Sequence, residues 1–361
     1  MALPLVECVP NFSEGRNPAV IDAIASAISS VKGVALLGVE PSVDANRSVF
    51  TFAGAPGPVA EAAVASAKTA FGLIDMAKQQ GVHPRMGALD VCPFVPVSGV
   101  GMAECVELSR QAAQRIATEL DVPVYLYEAS ASRPERKSLA YLRSGGYEAL
   151  RAKLASEDWA PDYGPASFVP NWGATVVGAR GFLIALNINL NTRVEALAKE
   201  IAMRVRESGR LAKDSSGGPR KGEDGRPVRI PGKLKAVRAI GWYIEAYGCA
   251  QVSLNILDYR TSPLHLAFET VREEAETLGL RVTGSELVGL APLEAMLAAG
   301  RHFSTTAGER YGGREKGGAE AEEAEFVQVA IDSMGLESVA PFPSREKIVE
   351  YAIAAKVPAI G

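Results

Sequence analysis

Three histidines, His83, His265 and His302, supply the imidazoles of this 361-residue chain, and imidazole is the side chain whose ordinary pKa lets it take up and return a proton near neutrality. His83 stands in Gly81-Val82-His83-Pro84-Arg85-Met86-Gly87-Ala88-Leu89-Asp90. Glycines punctuate that loop, and a proline stiffens the backbone beside the ring. Such a setting suits proton transfer or ligand binding, and equally a buried, hydrogen-bonded histidine. His265 falls in the first turn of a predicted helix, at Ser262-Pro263-Leu264-His265, where a structural or capping role is expected. His302 follows Gly300-Arg301 at a predicted helix end, where a protonated ring complements the helix dipole.

Other polar sets read two ways. In Val6-Glu7-Cys8-Val9-Pro10-Asn11-Phe12-Ser13-Glu14-Gly15-Arg16, Asn11 and Glu14 either face a ligand or satisfy a strand-to-helix turn. In Gly38-Val39-Glu40 and Asp44-Ala45-Asn46-Arg47, Glu40 and Asp44 are candidate acidic partners for His83. Arg47 and Arg85 are candidate partners for a substrate carboxylate, or members of surface ion pairs. The loop Gly164, Pro165, Ala166, Ser167, Phe168, Val169, Pro170, Asn171, Trp172, Gly173 mixes flat aromatics with polar groups. That mixture suits a flat heterocycle, although an interdomain linker has the same look. The basic run Arg220, Lys221, Arg226, Arg229, Lys233, Lys235, Arg238 is either a solvated loop or a cationic rim.

The sequence holds no nucleophile elbow, Walker loop, Rossmann glycine fingerprint or H-E-x-x-H helix. One placed histidine without a serine or cysteine partner fits direct transfer between two bound substrates better than a covalent intermediate.

The elements that must position these residues follow from periodicity. Apolar and β-branched runs predict strands at 5–9, 34–39, 48–52, 90–97 and 122–128. Helical spacing predicts helices at 18–28, capped by Asn17, and at 58–76 and 103–120. Pro93 and Pro96 suggest an edge position or irregular pairing for the fourth of these strands. The order opens βαββαβ, that of a ferredoxin-like unit with helices on one sheet face and the other free to line a site.

Residues 130–171 lose the period and read as a connector. The cycle then restarts, with strands at 182–189, 237–246, 250–258 and 282–288 and helices at 195–208, 263–278 and 292–298. Polar, glycine-rich insertions are expected near 212–232 and 305–319, followed by helices at 320–334 and 345–354. The expected class is α+β, with two similar βαββαβ subdomains at 1–180, including the connector 130–180, and 181–361.

Composition agrees with a folded protein: 47% hydrophobic and 22% charged residues are ordinary globular values. The N-terminus lacks a basic signal-peptide start, and no stretch of about 18 uncharged apolar residues exists. Cys8, Cys92, Cys105 and Cys249 are scattered without a C-x-x-C pair, so reduced thiols in a cytoplasmic protein, with no metal, are expected. A net charge of −4 argues against nucleic acid as a partner.

Taken together, LVECVPNFSEGRN at 5–17, NRSVFTFAG at 46–54, GVHPRMGALDVCPFVPV at 81–97, VPVYLYE at 122–128 and WAPDYGP at 159–165 resemble the formiminotransferase family, as do AIGWYIE at 239–245, AQVSLNILD at 250–258 and ELVGLAPLEAML at 286–297. The resemblance implies two similar subdomains with a ligand tunnel between them, His83 as catalytic residue and Gly164 to Gly173 as folate-binding segment. It implies transfer of a formimino group from N-formimino-L-glutamate to tetrahydrofolate as co-substrate, with or without a polyglutamate tail. His83 would take the proton from folate N5 and return it to the glutamate nitrogen. A homodimer acting in histidine breakdown is implied, as a transferase without the cyclodeaminase domain of animal members. Kept beside this are use of 5-formyltetrahydrofolate at the same site, by a formyltransferase or cyclo-ligase, and a non-catalytic folate-binding protein.

Overall fold

The computed structural model of the chain describes residues 4–81, 84–214, 217–222, 225–306 and 319–356. It divides into two compact units, Met1–Gly181 with the chain from Ile353, and Phe182–Ala352. Both mix helix and sheet, so the class is α+β. Among the described residues no helix is long and apolar enough to cross a membrane.

In the first unit, β1 (Leu5–Cys8) and β2 (Asn11–Phe12) are one path interrupted at Val9 and Pro10, where proline has no N–H to give a ladder. Helix α1 (Pro18–Ser29) starts where Asn17 accepts from the N–H of Ala19 at 3.1 Å, and its spacing buries Val20, Ile21, Ile24 and Ile28. There follow β3 (Val34–Ser42), β4 (Arg47–Gly54), α2 (Pro56–Leu73), β5 (Leu89–Ser98), α3 (Met102–Leu120) and β6 (Val124–Glu128). Two short helices, α4 (Leu139–Leu142) and α5 (Leu150–Leu154), precede β7 (Thr175–Ala179). The sheet runs β3, β4, β1 with β2, β5, β7, β6. Pairing is antiparallel as far as β5 and parallel from β5 through β7 to β6.

Three sequence expectations change here. Strand β7, within the stretch 130–180 expected as connector, is wholly buried between β5 and β6. Strand β5 is therefore interior, and of the two expectations for it the irregular pairing holds and the edge position does not. Its prolines are absorbed by irregular pairing, since the register with β1 shifts between Leu5 and Val6, opposite Pro96. Finally, the face opposite α1, α2 and α3 is not all free. Tyr125, Tyr127, Val91 and Val176 bury themselves there against Leu142 of α4 and Leu150 and Leu154 of α5, while the alternate residues Val124, Leu126 and Val177 join Ile24, Val59 and Ile116 under the long helices. The connector has become a cover.

The second unit contains β8 (Ile184–Leu190), α6 (Glu195–Val205), the ribbon of β9 (Arg210–Leu211) with β10 (Arg229–Ile230), and the hairpin β11 (Val237–Ile244) and β12 (Cys249–Ile256). Then come α7 (Leu264–Thr277), β13 (Val282–Val288), α8 (Leu293–Thr306), α9 (Ala319–Met334), α10 (Ser344–Lys347) and α11 (Val349–Lys356). The sheet order is β11, β12, β8, β13, antiparallel throughout. In both units the opening strand lies between the third and the fourth, with β7 and β6 added to the first unit alone. Period-two alternation sends Ile184, Leu186, Ile188 and Leu190 to the core and Asn187 and Asn189 to the other face.

Helix α8 outruns its predicted end at 298, continuing past Gly300, because α9 packs along it. The described part of the 212–232 insertion is a ladder of turns, with Arg220 N donating to Ala212 O and Val228 N to Arg220 O at 2.8 Å each. Most of the second expected insertion, 307–318, lies outside the described residues.

Candidate functional site

His83 and its neighbour Val82 lie outside the described residues; what frames that loop is described. Asn46 adopts φ +47°, a left-handed conformation that asparagine tolerates. Its Oδ1 accepts from Gly15 N at 3.0 Å, its Nδ2 donates to Gln80 O at 2.9 Å, and its own carbonyl accepts from Gln79 Nε2 at 2.9 Å. One buried amide thus joins the turn after β2, the start of β4 and the loop approaching His83.

Next to it, Arg47 gives Nε and Nη2 to Asn11 Oδ1 at 3.1 and 2.6 Å and Nη1 to Asp90 Oδ2 at 2.7 Å. Arg143, from the connector, donates Nη2 to the same Asp90 oxygen at 2.5 Å. Asp90 is wholly buried, and the arginine side chains are only 12% and 15% exposed. Asp90 Oδ1 is taken by Met86 N at 2.8 Å, which ties the ion cluster to the His83 loop. Burial pulls Arg47 below its ordinary pKa, with the Asp90 charge opposing and Arg143 adding to the fall. Two guanidinium groups share one carboxylate, so a positive charge is left over. Arg143 Nε is buried without a hydrogen-bond partner among the described residues. An anion held here would meet both the spare charge and the spare donor.

The remaining candidates separate. Arg85 is committed elsewhere, giving Nε to Gln79 Oε1 at 2.6 Å, pairing Nη1 with Glu148 at 3.0 Å and lying 5.9 Å over the Tyr147 ring. Glu14 caps the start of α1, its Oε1 accepting from Arg16 N and Asn17 N at 2.8 and 2.9 Å. Glu40 and Asp44 are exposed.

The loop Gly164 to Gly173 is pinned at both ends. Both glycines have φ near +80°, and a Cβ added at either would lie 2.1 Å from a carbonyl, of Val122 and of Met86 respectively. Trp172 is fully buried, its Nε1 donating to Thr175 Oγ1 at 3.0 Å. Its ring belongs to the core, and Phe168 is the loop's half-exposed aromatic, 5.4 Å from the Tyr147 ring and 4.8 Å from the Arg151 guanidinium. Asn171 O takes Met76 N at 3.0 Å and Pro170 O takes the Tyr147 hydroxyl at 2.6 Å. Ala166, Ser167 and Pro170 are exposed, while Pro165 and Val169 are half-buried. Tyr147 N also donates to Arg85 O at 2.8 Å, so this connector tyrosine joins the two loops that the sequence reading kept apart.

Asp90, Arg143, Asn46 and Tyr147 join the candidate site only in the folded chain. Asp90 was visible inside the His83 segment; Arg143 and Tyr147 sit in a stretch without periodicity, and no local signal marks them.

The other two histidines serve packing in the second unit. Their rings stack at 4.2 Å and 13°, and His302 Nε2 lies 2.9 Å from Glu269 Oε2. Burial, then the neighbouring His302, pulls His265 below its ordinary pKa. In the basic run, Lys233 pairs with Glu274 at 2.7 Å and Arg229 Nε donates to Ser208 O at 2.8 Å, whereas Arg220, Lys221, Lys235 and Arg238 are exposed.

Residues 5–180 match the formiminotransferase domain, N-terminal subdomain, and residues 185–354 match the formiminotransferase domain. The formimidoyltransferase-cyclodeaminase of Mus musculus is 50% identical over 349 residues, which is 97% of this chain and 60% of that protein. The glutamate formimidoyltransferase of Streptococcus pyogenes serotype M1 is 44% identical over 299 residues, 83% of this chain and 93% of that protein. That of Thermoplasma acidophilum is 40% identical over 303 residues, covering 83% and 92%. The chain therefore spans about 60% of the length of the animal cyclodeaminase fusions it matches. With both of its units matched along nearly their whole length, the chain belongs to the formiminotransferase family.

Proposed function

We propose that the chain transfers the formimino group of N-formimino-L-glutamate to N5 of tetrahydrofolate, giving 5-formiminotetrahydrofolate and L-glutamate in histidine breakdown. The observation that carries this reading is the 44% identity to a protein named glutamate formimidoyltransferase across 93% of its length. We read residues 1–180 and 181–361 as ferredoxin-like subdomains of a cytoplasmic homodimer. The shared strand order of the two sheets supports the fold.

The chemistry asks for three things. The donor carries carboxylates, and the pair Arg47 and Arg143 on Asp90 offers an anion the charge and the donor it needs. The acceptor carries a flat pterin, for which the Gly164 to Gly173 loop offers Phe168 beside Tyr147. A proton must leave N5 after attack on the amidine carbon and reach the departing glutamate nitrogen. His83 serves both steps, and the support for it is its place in the sequence, between Gly81 and Pro84 and seven residues before Asp90.

The test follows folate absorbance with purified chain and two donors. Formiminoglutamate is expected to give the adduct, and His83→Ala to lower turnover by roughly two to four orders of magnitude with folate affinity retained. Turnover of 5-formyltetrahydrofolate without any adduct from formiminoglutamate, or full activity in His83→Ala, would overturn the proposal.

A further inference from the structure

The face of the second sheet turned away from α6 and α7 carries a row of polar side chains whose direction is fixed. Trp242, Gln251 and Asn189 lie side by side on β11, β12 and β8. Trp242 Nε1 donates to Gln251 Oε1 at 3.0 Å, and Gln251 Nε2 donates to Asn189 Oδ1 at 2.6 Å. An indole N–H can only donate, so Gln251 must present its carbonyl to Trp242 and its amide nitrogen to Asn189. Asn189 in turn must spend its carbonyl on Gln251. The row therefore ends in the Asn189 NH2 group, which meets no hydrogen-bond acceptor among the described residues, on a residue that is only 3% exposed.

That end opens on a cavity of about 440 Å³ at the C-terminal end of β8, walled by Asn189, Asn191, Arg193, Tyr247 and Cys249 with Thr283. The volume is in the range of small-ligand sites. The lining includes one guanidinium and no carboxylate. Arg193 has no ion pair among the described residues, and Asn191 spends its carbonyl on Arg281 N at 2.7 Å, leaving its own NH2 as a donor. The wall thus turns two amide NH2 groups and a guanidinium to the cavity, with the hydroxyls of Thr192, Thr283 and Ser338 beside them and the Tyr247 hydroxyl spent on Glu286 Oε1 at 3.3 Å, a set of donors that a carboxylate completes. We propose that this cavity is a binding site for the carboxylate of a glutamyl group, held by Asn189, Asn191 and Arg193, with Gln251 as the positioning residue that aims Asn189. The carboxylate follows from the donor array; the glutamyl identity rests on the transfer reaction proposed above. The group comes either from a free glutamate-type amino acid or from the glutamyl end of a folate, and the two sources separate by experiment.

Cys249 supplies the readout, because it lines the cavity half-exposed while Cys8, Cys92 and Cys105 are buried. The rate at which N-ethylmaleimide modifies Cys249 in the full chain is followed by peptide mass spectrometry, with L-glutamate, L-glutamine or monoglutamyl tetrahydrofolate added. Saturating L-glutamate or the folate is expected to slow labelling at least about tenfold, whichever protects identifying the source. Arg193→Ala, at an exposed position, is expected to raise the half-protecting concentration by roughly 10- to 100-fold, the worth of a charge-assisted hydrogen bond. Gln251→Glu accepts from both Trp242 and Asn189, turning the Asn189 carbonyl to the cavity, and is expected to abolish protection while unliganded labelling stays unchanged. Absence of protection by either ligand, or an unaltered half-protecting concentration in Arg193→Ala, overturns the site. Transferase turnover is measured separately: protection without turnover would sink the proposed reaction and spare the cavity, and turnover without protection the reverse.

Discussion

Each unit places an asparagine on its opening strand that accepts a hydrogen bond from a side chain of the third strand, and the two pairs are built from opposite materials. In the first unit Asn11 accepts from Arg47, and the network ends on the buried Asp90 carboxylate with a second arginine attached. In the second, Asn189 accepts from Gln251, and the network is neutral, running from an indole N–H to the Asn189 NH2 group, which meets no acceptor among the described residues. The ionic network is held by charge that must be balanced, so removing its centre is costly. The amide network carries little charge but has a sense of direction, so it fixes which group faces the cavity.

Substitutions break this contrast in order of size. Asp90→Asn leaves two nearly buried guanidinium groups without their counter-ion, and is expected to lower the unfolding free energy by about 3–5 kcal/mol, read by urea denaturation. Gln251→Ala leaves Trp242 Nε1 and Asn189 Oδ1 unpaired, an expected loss of about 1–3 kcal/mol by the same measurement. If the two losses proved equal, charge would not be what distinguishes the networks.

The smallest effect concerns His265. Its folded pKa is depressed by burial and by His302, so the unfolded chain takes up the proton first. Stability from neutral His265 is then present above the unfolded value of about 6.5 and is lost as pH falls from there through the lower folded value. Replacing it by phenylalanine should flatten the decline of the denaturation midpoint between about pH 7.5 and 5.5; an unchanged slope would assign that decline to other groups.

Local pattern carried the sequence reading a long way. Alternation and helical spacing are properties of neighbouring residues, so α1, α3, β4 and β8 were legible within a few positions, and so was the restart of the cycle in the second half. Strand β7 was not, because five residues after an aperiodic stretch acquire strand character only from β5 and β6 on either side. The same holds for the site. The sequence marked the His83 segment, Arg47 and the Gly164 to Gly173 loop by residue type and by resemblance. It gave no sign that Arg143, 53 residues from Asp90 along the chain, shares its carboxylate, nor that Trp172 is core and Tyr147 the link between loops.

What the sequence by itself determined was the repertoire: the order of elements, the family, and a short list of groups able to move a proton or hold an anion. Tertiary structure decided which of them meet. Glu14 went to the start of its own helix and Arg85 to Gln79 and Glu148, Arg47 was joined by Arg143 on Asp90, and Asn189 was turned by Gln251 toward a cavity. Hydrogen bonds and ion pairs act over about 3 Å of space, and only the folded sheets bring such distant positions within that reach.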